Sequence, residues 1–531
     1  MVSSSIYLLG LSQFLTSALS ANTPTKKVCS SDTFASLGLS NIDVLSIDAR
    51  LSQAQYDADD ITNAYPISTN KTVEICQLTV NYTHPGWNDN VTTWISLPVE
   101  NWNGRFMGVG GGGWIMGTIG RLNQAVFGGY AAASTNGGHD ENASVASWGL
   151  ASEGNINWAN MQDFSSVSLD DAASLGKAAT KMFYGKPHKY AYWNGCSTGG
   201  RQGHMMAQRY PTQYDGILAG SPAINWDKFI PAEYWPQMLM HALDYYPSSC
   251  ELNALTEYAI DACDELDGVE DRIISMPGLC KFNASTVIGK TIQCSSNTTA
   301  KITAKAAKYA SLVWAGPQDT SGSSLWYGLS HDAPLTRLAG TNCTSPSKDC
   351  KGVPFQISAD WQQIFLSRNS SVDVSKITYA EYVDHFRQSV NEYNSIIGTR
   401  DPDLTGFKQA GGKMIAWHGM KDPLIFFNGT ETYYREVMEL DADVQDYYRF
   451  FAAPGAEHCT GGIGFYPGSS LDSLVNWVEN GTAPETLKAI ATPTATSGAE
   501  LPLRTANLCA YPKILTYVGG DASKASSFAC K

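Results

Sequence analysis

The chain has 531 residues, 43% of them hydrophobic, enough to bury one large domain with a substantial insertion or two or three domains. A formal net charge of −14, a pI of about 5.1 and the absence of any basic run argue against nucleic acid as a partner. The 12 cysteines form no Cys-x-x-Cys pair and have no cluster of histidines beside them, so disulfides are expected rather than zinc.

In chain order, Ile6 to Leu19 is mostly apolar and ends in Ala18-Leu19-Ser20, small residues suited to cleavage before Ala21. Residues 1–20 therefore read as a secretory signal peptide. Ser12, Gln13, Thr16 and Ser17 break the run, which is too short and too polar for an anchor helix. Asn-x-Ser/Thr sequons start at Asn70, Asn81, Asn90, Asn142, Asn283, Asn297, Asn342, Asn369, Asn428 and Asn480, a density that suits an exported glycoprotein.

Val73 to Tyr82 alternates with period two and predicts a strand; Thr92 to Pro98 predicts another. Phe106 to Val109 is a short apolar strand that runs into Gly110-Gly111-Gly112-Gly113-Trp114. Tyr130 to Ser134 predicts the next strand, ending in Thr135-Asn136-Gly137-Gly138-His139-Asp140. Asp170 to Tyr184 has helical spacing. The apolar run Tyr190 to Trp193, a glycine-rich turn and the helix-like run Arg201 to Tyr210 follow, then a strand and turn over Asp215 to Pro222. Alternating strands and helices predict a mostly parallel sheet covered on both faces.

From about Asn225 to Asp403 strand signals thin out, while cysteines, prolines, sequons and aromatics crowd in. This segment is expected to be an inserted lid over the active site. Lys413 to His418 resumes the strand pattern, followed by a helix from about Thr430 to Glu439, a strand over Tyr447 to Ala452 and a helix over Ser470 to Val478. Residues 485–500, rich in Ala, Thr and Pro, read as a loop. The expected architecture is an α/β-hydrolase core built from residues 21–224 and 404–531, with a large inserted lid domain over 225–403.

Gly195, Ser197 and Gly199 form a Gly-x-Ser-x-Gly core between a strand and a helix, the context of a nucleophile elbow. Ser197 is the candidate nucleophile. The Thr198 amide, together with Gly112 and Gly113 from the preceding glycine run, is the expected oxyanion hole. Asp422 lies just past the C-terminal end of the resumed strand and is the candidate acid; Asp401 and Asp403 are weaker rivals because they precede it. His458 alone among nine histidines follows Asp422, which makes it the candidate base; His418 comes too early and is given a structural role. Cys196 precedes Ser197 and Cys459 follows His458, so if serine and histidine meet, these neighbours come within disulfide reach.

The motifs Gly195-Cys196-Ser197-Thr198-Gly199-Gly200-Arg201, Trp417-His418-Gly419-Met420-Lys421-Asp422-Pro423 and Pro454-Gly455-Ala456-Glu457-His458-Cys459 resemble the tannase and feruloyl esterase family of secreted fungal hydrolases, as does Asn136-Gly137-Gly138-His139-Asp140. The likeness runs from about Cys29 to the C-terminus. It implies a serine carboxylesterase acting on phenolic-acid esters, with feruloyl and related hydroxycinnamoyl esters of plant cell-wall polysaccharide favoured and galloyl esters the close alternative. Cys29, Cys76, Cys263, Cys280, Cys509 and Cys530 are expected in disulfides beside the Cys196–Cys459 bond, while the pairing of Cys250, Cys294, Cys343 and Cys350 stays open.

Asp264, Asp267 and Asp271 in Cys263-Asp264-Glu265-Leu266-Asp267-Gly268-Val269-Glu270-Asp271-Arg272-Ile273 suit a hard cation, although the spacing is not that of an EF-hand. By itself the loop reads equally well as an acidic surface turn. The family resemblance implies a structural calcium held by the carboxylates of Asp264, Asp267 and Asp271 and the carbonyls of Val269 and Ile273. No organic cofactor, nucleic acid or membrane partner is expected. A non-catalytic carbohydrate-binding glycoprotein on the same scaffold is the alternative from another class, and the presence of Ser197, Asp422 and His458 speaks against it.

Overall fold

The computed structural model describes residues 28–55, 72–295, 297–345, 348–491 and 503–531. The expected signal peptide and the sequon at Asn70 lie outside them. Among the described residues no helix is long and apolar enough to cross a membrane.

Nine strands form the central sheet: β1 (Asp43–Gln55), β2 (Thr72–Thr83), β3 (Val91–Pro98), β4 (Arg105–Val109), β5 (Ala131–Thr135), β6 (Tyr190–Cys196), β7 (Gly216–Gly220), β8 (Lys413–Gly419) and β9 (Tyr448–Ala453). Their spatial order is β1-β2-β3-β5-β4-β6-β7-β8-β9. The first three strands are antiparallel, and β3 pairs antiparallel with β5. Every pairing from β5 to β9 is parallel. The helices of the body are α1 (Ile119–Phe127), α2 (Trp158–Ser165), α3 (Val167–Tyr184), α4 (Thr198–Arg209), α5 (Phe427–Leu440) and α6 (Ser470–Asn480).

Period-two alternation sorts the strand residues between two cores. Ala131, Ala133, Ala191, Trp193, Ile217, Ala219, Met414 and Ala416 join Leu175 and Ala179 of α3, Met206 of α4 and Tyr434 of α5. Their neighbours Ala132, Tyr192, Leu218, Ile415 and Trp417 join Leu122 and Val126 of α1 and Leu474 and Trp477 of α6. Parallel strands sandwiched this way read as unbroken apolar runs, which is how they appear in the sequence.

Residues 225–403 are mainly helical, with helices Trp226–Glu233, Trp235–Leu243, Ser249–Cys263, Ala304–Ala315 and Tyr379–Ile397. Two of these start at capping boxes, Ser248 with Glu251 and Thr378 with Glu381, so first-turn amides are satisfied by side chains one turn apart. Two disulfide-tethered hairpins, Thr291–Ser295 with Thr298–Lys301 and Thr341–Ser345 with Lys348–Gly352, complete the segment. It shares the buried core of the body: Trp226, Phe229, Trp361 and Tyr393 lie in the same apolar cluster as α3 and α4. Trp114, directly after the glycine run, packs its ring 5.5 Å from Trp226 and 6.3 Å from Trp361 and donates Nε1–H to Asp360 at 3.0 Å.

One expectation fails near the C-terminus. Thr486–Ala491, read as part of a loop, is a strand paired antiparallel with Arg504–Cys509. Its residues alternate between exposed and buried, and that pairing outweighs an Ala- and Thr-rich composition. Residues 492–500 of the same reading lie outside the described residues.

Candidate active site

Strand β6 delivers Ser197 at φ 63° and ψ −124°, and α4 begins at the next residue. A serine rarely takes this conformation; it survives here because packing on both sides fixes it. A Cβ on Gly195 would lie 2.6 Å from the Gly199 backbone, and one on Gly200 would lie 2.5 Å from the Gly220 carbonyl. The glycines of the motif are thus required by the close approach of β6, α4 and β7.

Three side chains that follow the C-terminal ends of β6, β8 and β9 meet above the turn at one edge of the sheet. The Ser197 hydroxyl is 2.8 Å from His458 Nε2, and His458 Nδ1 is 2.7 Å from Asp422 Oδ2. Asp422 is fully buried in the loop after β8, and its Oδ1 accepts the Leu424 and Ile425 amides, both at 2.9 Å. Burial alone would raise the Asp422 carboxyl, but the facing His458 and His418 rings outweigh it and hold the group well below the usual carboxylate range. A buried ionised carboxylate on Nδ1 leaves the Nε2 lone pair facing the hydroxyl, the arrangement that lets an imidazole take a serine proton.

His418 is more than structural filler. Its Nε2 lies 3.1 Å from Asp422 Oδ2 and its Nδ1 2.8 Å from the Thr430 hydroxyl. As a buried donor to the acid it orients the carboxylate through Oδ2, the same oxygen that faces the base. The signal available in the sequence was the four-residue spacing across the turn at the end of β8. The rival acids lie elsewhere: Asp401 is exposed and caps the Asp403 amide at 3.0 Å, and Asp403 does the same for Thr405 at 2.9 Å.

The expected oxyanion donors, Thr198, Gly112 and Gly113, need one correction. The Gly112 amide donates to the Ile115 carbonyl at 2.8 Å, which closes the glycine turn and removes that N–H from the site. The Gly113 amide has no hydrogen bond among the described residues. The Thr198 amide is the first of α4, outside the helical ladder, and the Thr198 hydroxyl donates to the Gly113 carbonyl at 2.8 Å, tying the two segments together. Thr198 and Gly113 are the amides placed to hold an oxyanion.

Cys196 and Cys459 are bonded, with Cα atoms 5.9 Å apart across 263 residues of chain. The other bonds are Cys29–Cys76, Cys250–Cys294, Cys263–Cys280, Cys343–Cys350 and Cys509–Cys530, which accounts for all twelve cysteines. The Cys196–Cys459 bond ties the residue before the serine to the residue after the histidine. Replacing both cysteines with alanine is expected to cut kcat by about 100-fold, because small losses of register between reacting groups are costly. Circular dichroism should still report a folded protein at temperatures where the rate has already fallen. A double variant with wild-type kcat would show that the bond does not hold the site together.

A cavity of about 320 Å³ opens at Ser197 and His458. Trp226, Phe229, Ile230, Ile357, Leu424 and Ile425 line it with apolar surface. The acid among them is Glu233, 2% exposed, whose Oε2 has no hydrogen-bond partner. Burial first, and the Asp422 charge second, push the Glu233 carboxyl well above its ordinary value, which favours its neutral form. Sequence reading missed it, since a lone glutamate ending an apolar helix carries no mark of burial.

In the acidic loop, Asp264 and Asp267 are buried. Asp264 accepts the Asp271 amide at 3.1 Å, Asp267 accepts those of Val269 and Ser275, and Asp271 accepts that of Ile273. Arg504 Nη1, 3.0 Å from Asp271 Oδ2, is the cation that contacts these carboxylates among the described residues. The carbonyls of Val269 and of fully buried Ile273 accept no hydrogen bond there. Carboxylates in surplus over their guanidinium partner, beside two unpaired carbonyls, are oxygen donors of the kind a hard cation takes, although among the described residues the three carboxylates do not themselves gather within 4.8 Å of one another.

The family model described as tannase and feruloyl esterase matches residues 76–531. A probable feruloyl esterase of Arthroderma benhamiae is 41% identical over 474 residues, covering 88% of this chain and 87% of that one. The tannase of Aspergillus oryzae is 29% identical over 515 residues, covering 86% and 85%. Among solved structures, a tannin acyl hydrolase from Aspergillus niger superposes with a TM-score of 0.84 at 26% identity over 95% of each chain. Feruloyl esterase B from Aspergillus oryzae gives 0.76 at 25% identity over 94% of this chain and 98% of that one. The motifs, the sheet and these matches agree: the chain belongs to the tannase and feruloyl esterase family and is a carboxylic ester hydrolase.

Proposed function

We propose that this protein is a secreted serine esterase that cleaves phenolic-acid esters, feruloyl and related hydroxycinnamoyl esters of plant cell-wall polysaccharide first among them. The observation that carries the reading is the continuous Ser197–His458–Asp422 chain of hydrogen bonds at the mouth of a largely apolar cavity that holds the buried Glu233. His458 Nε2 takes the Ser197 proton as Oγ attacks the ester carbonyl. The Thr198 and Gly113 amides receive the oxyanion, each contributing about 3 kcal/mol to the barrier reduction. His458 then protonates the leaving alcohol, and water repeats the sequence on the acyl-enzyme.

The aromatic acyl group fits the cavity walls, and the Glu233 carboxyl is suited to hydrogen-bond a ring hydroxyl. Glu233→Leu is expected to raise KM for methyl ferulate about 10-fold, the worth of one buried hydrogen bond, and to leave methyl cinnamate unchanged. Equal losses on both esters would remove Glu233 from substrate recognition. Galloyl esters remain a second reading, because the fold superposes most fully on a tannin acyl hydrolase among the structures named here. Initial rates on methyl ferulate, methyl caffeate and methyl gallate, measured side by side, decide between them. Fastest turnover of methyl gallate would overturn the feruloyl assignment.

Secretion is supported by the six disulfides and by the placement of the sequons. No sequon asparagine among the described residues is buried. The acidic loop is proposed to hold a structural calcium on Asp264, Asp267, Asp271 and the Val269 and Ile273 carbonyls, where it would cross-brace the lid without touching the ester. Chelation is expected to lower the melting temperature and added calcium to restore it, since an ion bound by the folded state alone stabilises by mass action. Asp264→Ala should abolish that response. A wild-type melting curve unchanged by both treatments would return the loop to a solvated turn.

A further inference from the structure

Away from Ser197, one histidine and three aspartates converge beneath the antiparallel half of the sheet. His84 follows the end of β2, Asp89 precedes β3, Asp163 lies on α2 and Asp171 on α3. Their exposures are 5%, 7%, 0% and 1%. The ester chemistry uses none of them.

Most of the cluster is internally satisfied. His84 Nε2 lies 2.9 Å from Asp171 Oδ2, which also accepts the Tyr82 hydroxyl at 3.2 Å, while Asn41 donates to Asp171 Oδ1 at 3.2 Å. Asp89 Oδ1 accepts the Thr83 hydroxyl at 2.7 Å and the His84 amide at 2.9 Å. Asp89 Oδ2 faces His84 Nδ1 at 2.6 Å. Asp163 is the exception: it is fully buried, neither of its oxygens meets a hydrogen-bond donor, and its Oδ1 stands 3.7 Å from His84 Nδ1. One ligating atom each from His84, Asp89 and Asp163 lies within 4.8 Å of the other two.

Among the described residues no lysine or arginine pairs with these carboxylates. With a proton on His84, three buried carboxyl groups face one cation, a surplus that either a shared proton or a bound ion must relieve. A divalent ion beside a neutral imidazole would cut that surplus from two negative charges to one. Asp171 then holds Nε2–H, as a carboxylate does behind a ligating imidazole, and the Nδ1 lone pair is aimed between Asp89 and Asp163.

We propose that His84 Nδ1, Asp89 and Asp163 bind a divalent first-row transition ion, for which zinc is the fitting probe. One imidazole nitrogen among two carboxylates suits such an ion better than calcium or magnesium, which favour all-oxygen shells. Binding displaces the proton between Nδ1 and Asp89, and it gives the buried Asp163 oxygens the partner they lack. The ion would pin α2 to the β2–β3 loop. The next two residues of α2, Phe164 and Ser165, offer their carbonyls to the Arg201 guanidinium at 3.1 and 2.9 Å, so the clamp stands behind the nucleophile helix rather than in the site.

The test is the metal content of the full-length glycoprotein by mass spectrometry of the elements, with melting curves taken before and after added zinc. Wild type and Asp264→Ala should each carry a stoichiometric first-row ion, or take up zinc with a rise in melting temperature if purification has stripped it. His84→Ala and the near-isosteric Asp163→Asn should do neither; if His84→Ala fails to fold, Asp163→Asn decides. A wild type that carries no such ion and ignores zinc would overturn the proposal. So would an Asp163→Asn protein at least as stable as zinc-treated wild type, the outcome expected if Asp163 merely shares a proton with Asp89.

Discussion

Ser197→Ala is expected to lower kcat by about 10⁶-fold while the protein folds as before, the scale of loss that follows removal of a nucleophile from a hydrogen-bonded triad. The fold does not depend on the hydroxyl. The backbone of Ser197 is fixed by its amide on the Gly220 carbonyl at 3.0 Å and by its own carbonyl, which accepts the Ala223 amide at 3.1 Å. The hydroxyl reaches His458 and is the atom the chemistry needs. What survives in the variant is the cavity and the oxyanion amides, so substrate should still bind with little change in affinity. Steady-state rates on methyl ferulate beside a melting curve check both halves. An active variant would refute the elbow assignment.

Asp422→Asn should cost about 10⁴-fold in kcat. The carboxylate accepts from four directions: two backbone amides on Oδ1 and the His458 and His418 rings on Oδ2. An asparagine has one oxygen, so its NH₂ must face either the amides or the rings. Facing the rings, it forces His458 to accept at Nδ1 and carry its proton on Nε2, toward the serine. The base is then blocked although every heavy atom keeps its place. His418→Asn should act through the same carboxylate and lower kcat by less, with KM unchanged. If Asp401→Asn proved the damaging change instead, the acid would have been misassigned.

The residues proposed as catalytic were legible because each sits where a strand ends. Gly-x-Ser-x-Gly after Tyr190–Trp193, an aspartate after Lys413–His418 and a histidine after Tyr447–Ala452 are local signals, and parallel strands bring their C-terminal ends to one edge. What escaped the sequence depends on contacts between distant segments. Gly112 and Gly113 are indistinguishable as letters; the turn that engages the Gly112 amide with Ile115 tells them apart. The buried state of Glu233 depends on the cavity around it, and the meeting of His84, Asp89 and Asp163 depends on α2 bringing Asp163 up to the β2–β3 loop. Thr486–Ala491 differs: its period-two alternation is present in the sequence but is masked by its Ala- and Thr-rich composition.

The most direct test is to trap the acyl-enzyme. The protein is mixed with a slowly deacylating aryl ester, quenched in acid and digested without reduction, and the peptides are mapped by mass spectrometry. The acyl mass should appear on Ser197, in a peptide still linked through Cys196 to the Cys459 peptide that carries His458. Ser197→Ala should give the linked pair with no acyl mass. An adduct on any other residue, or turnover of the ester with no covalent intermediate at Ser197, would contradict the account.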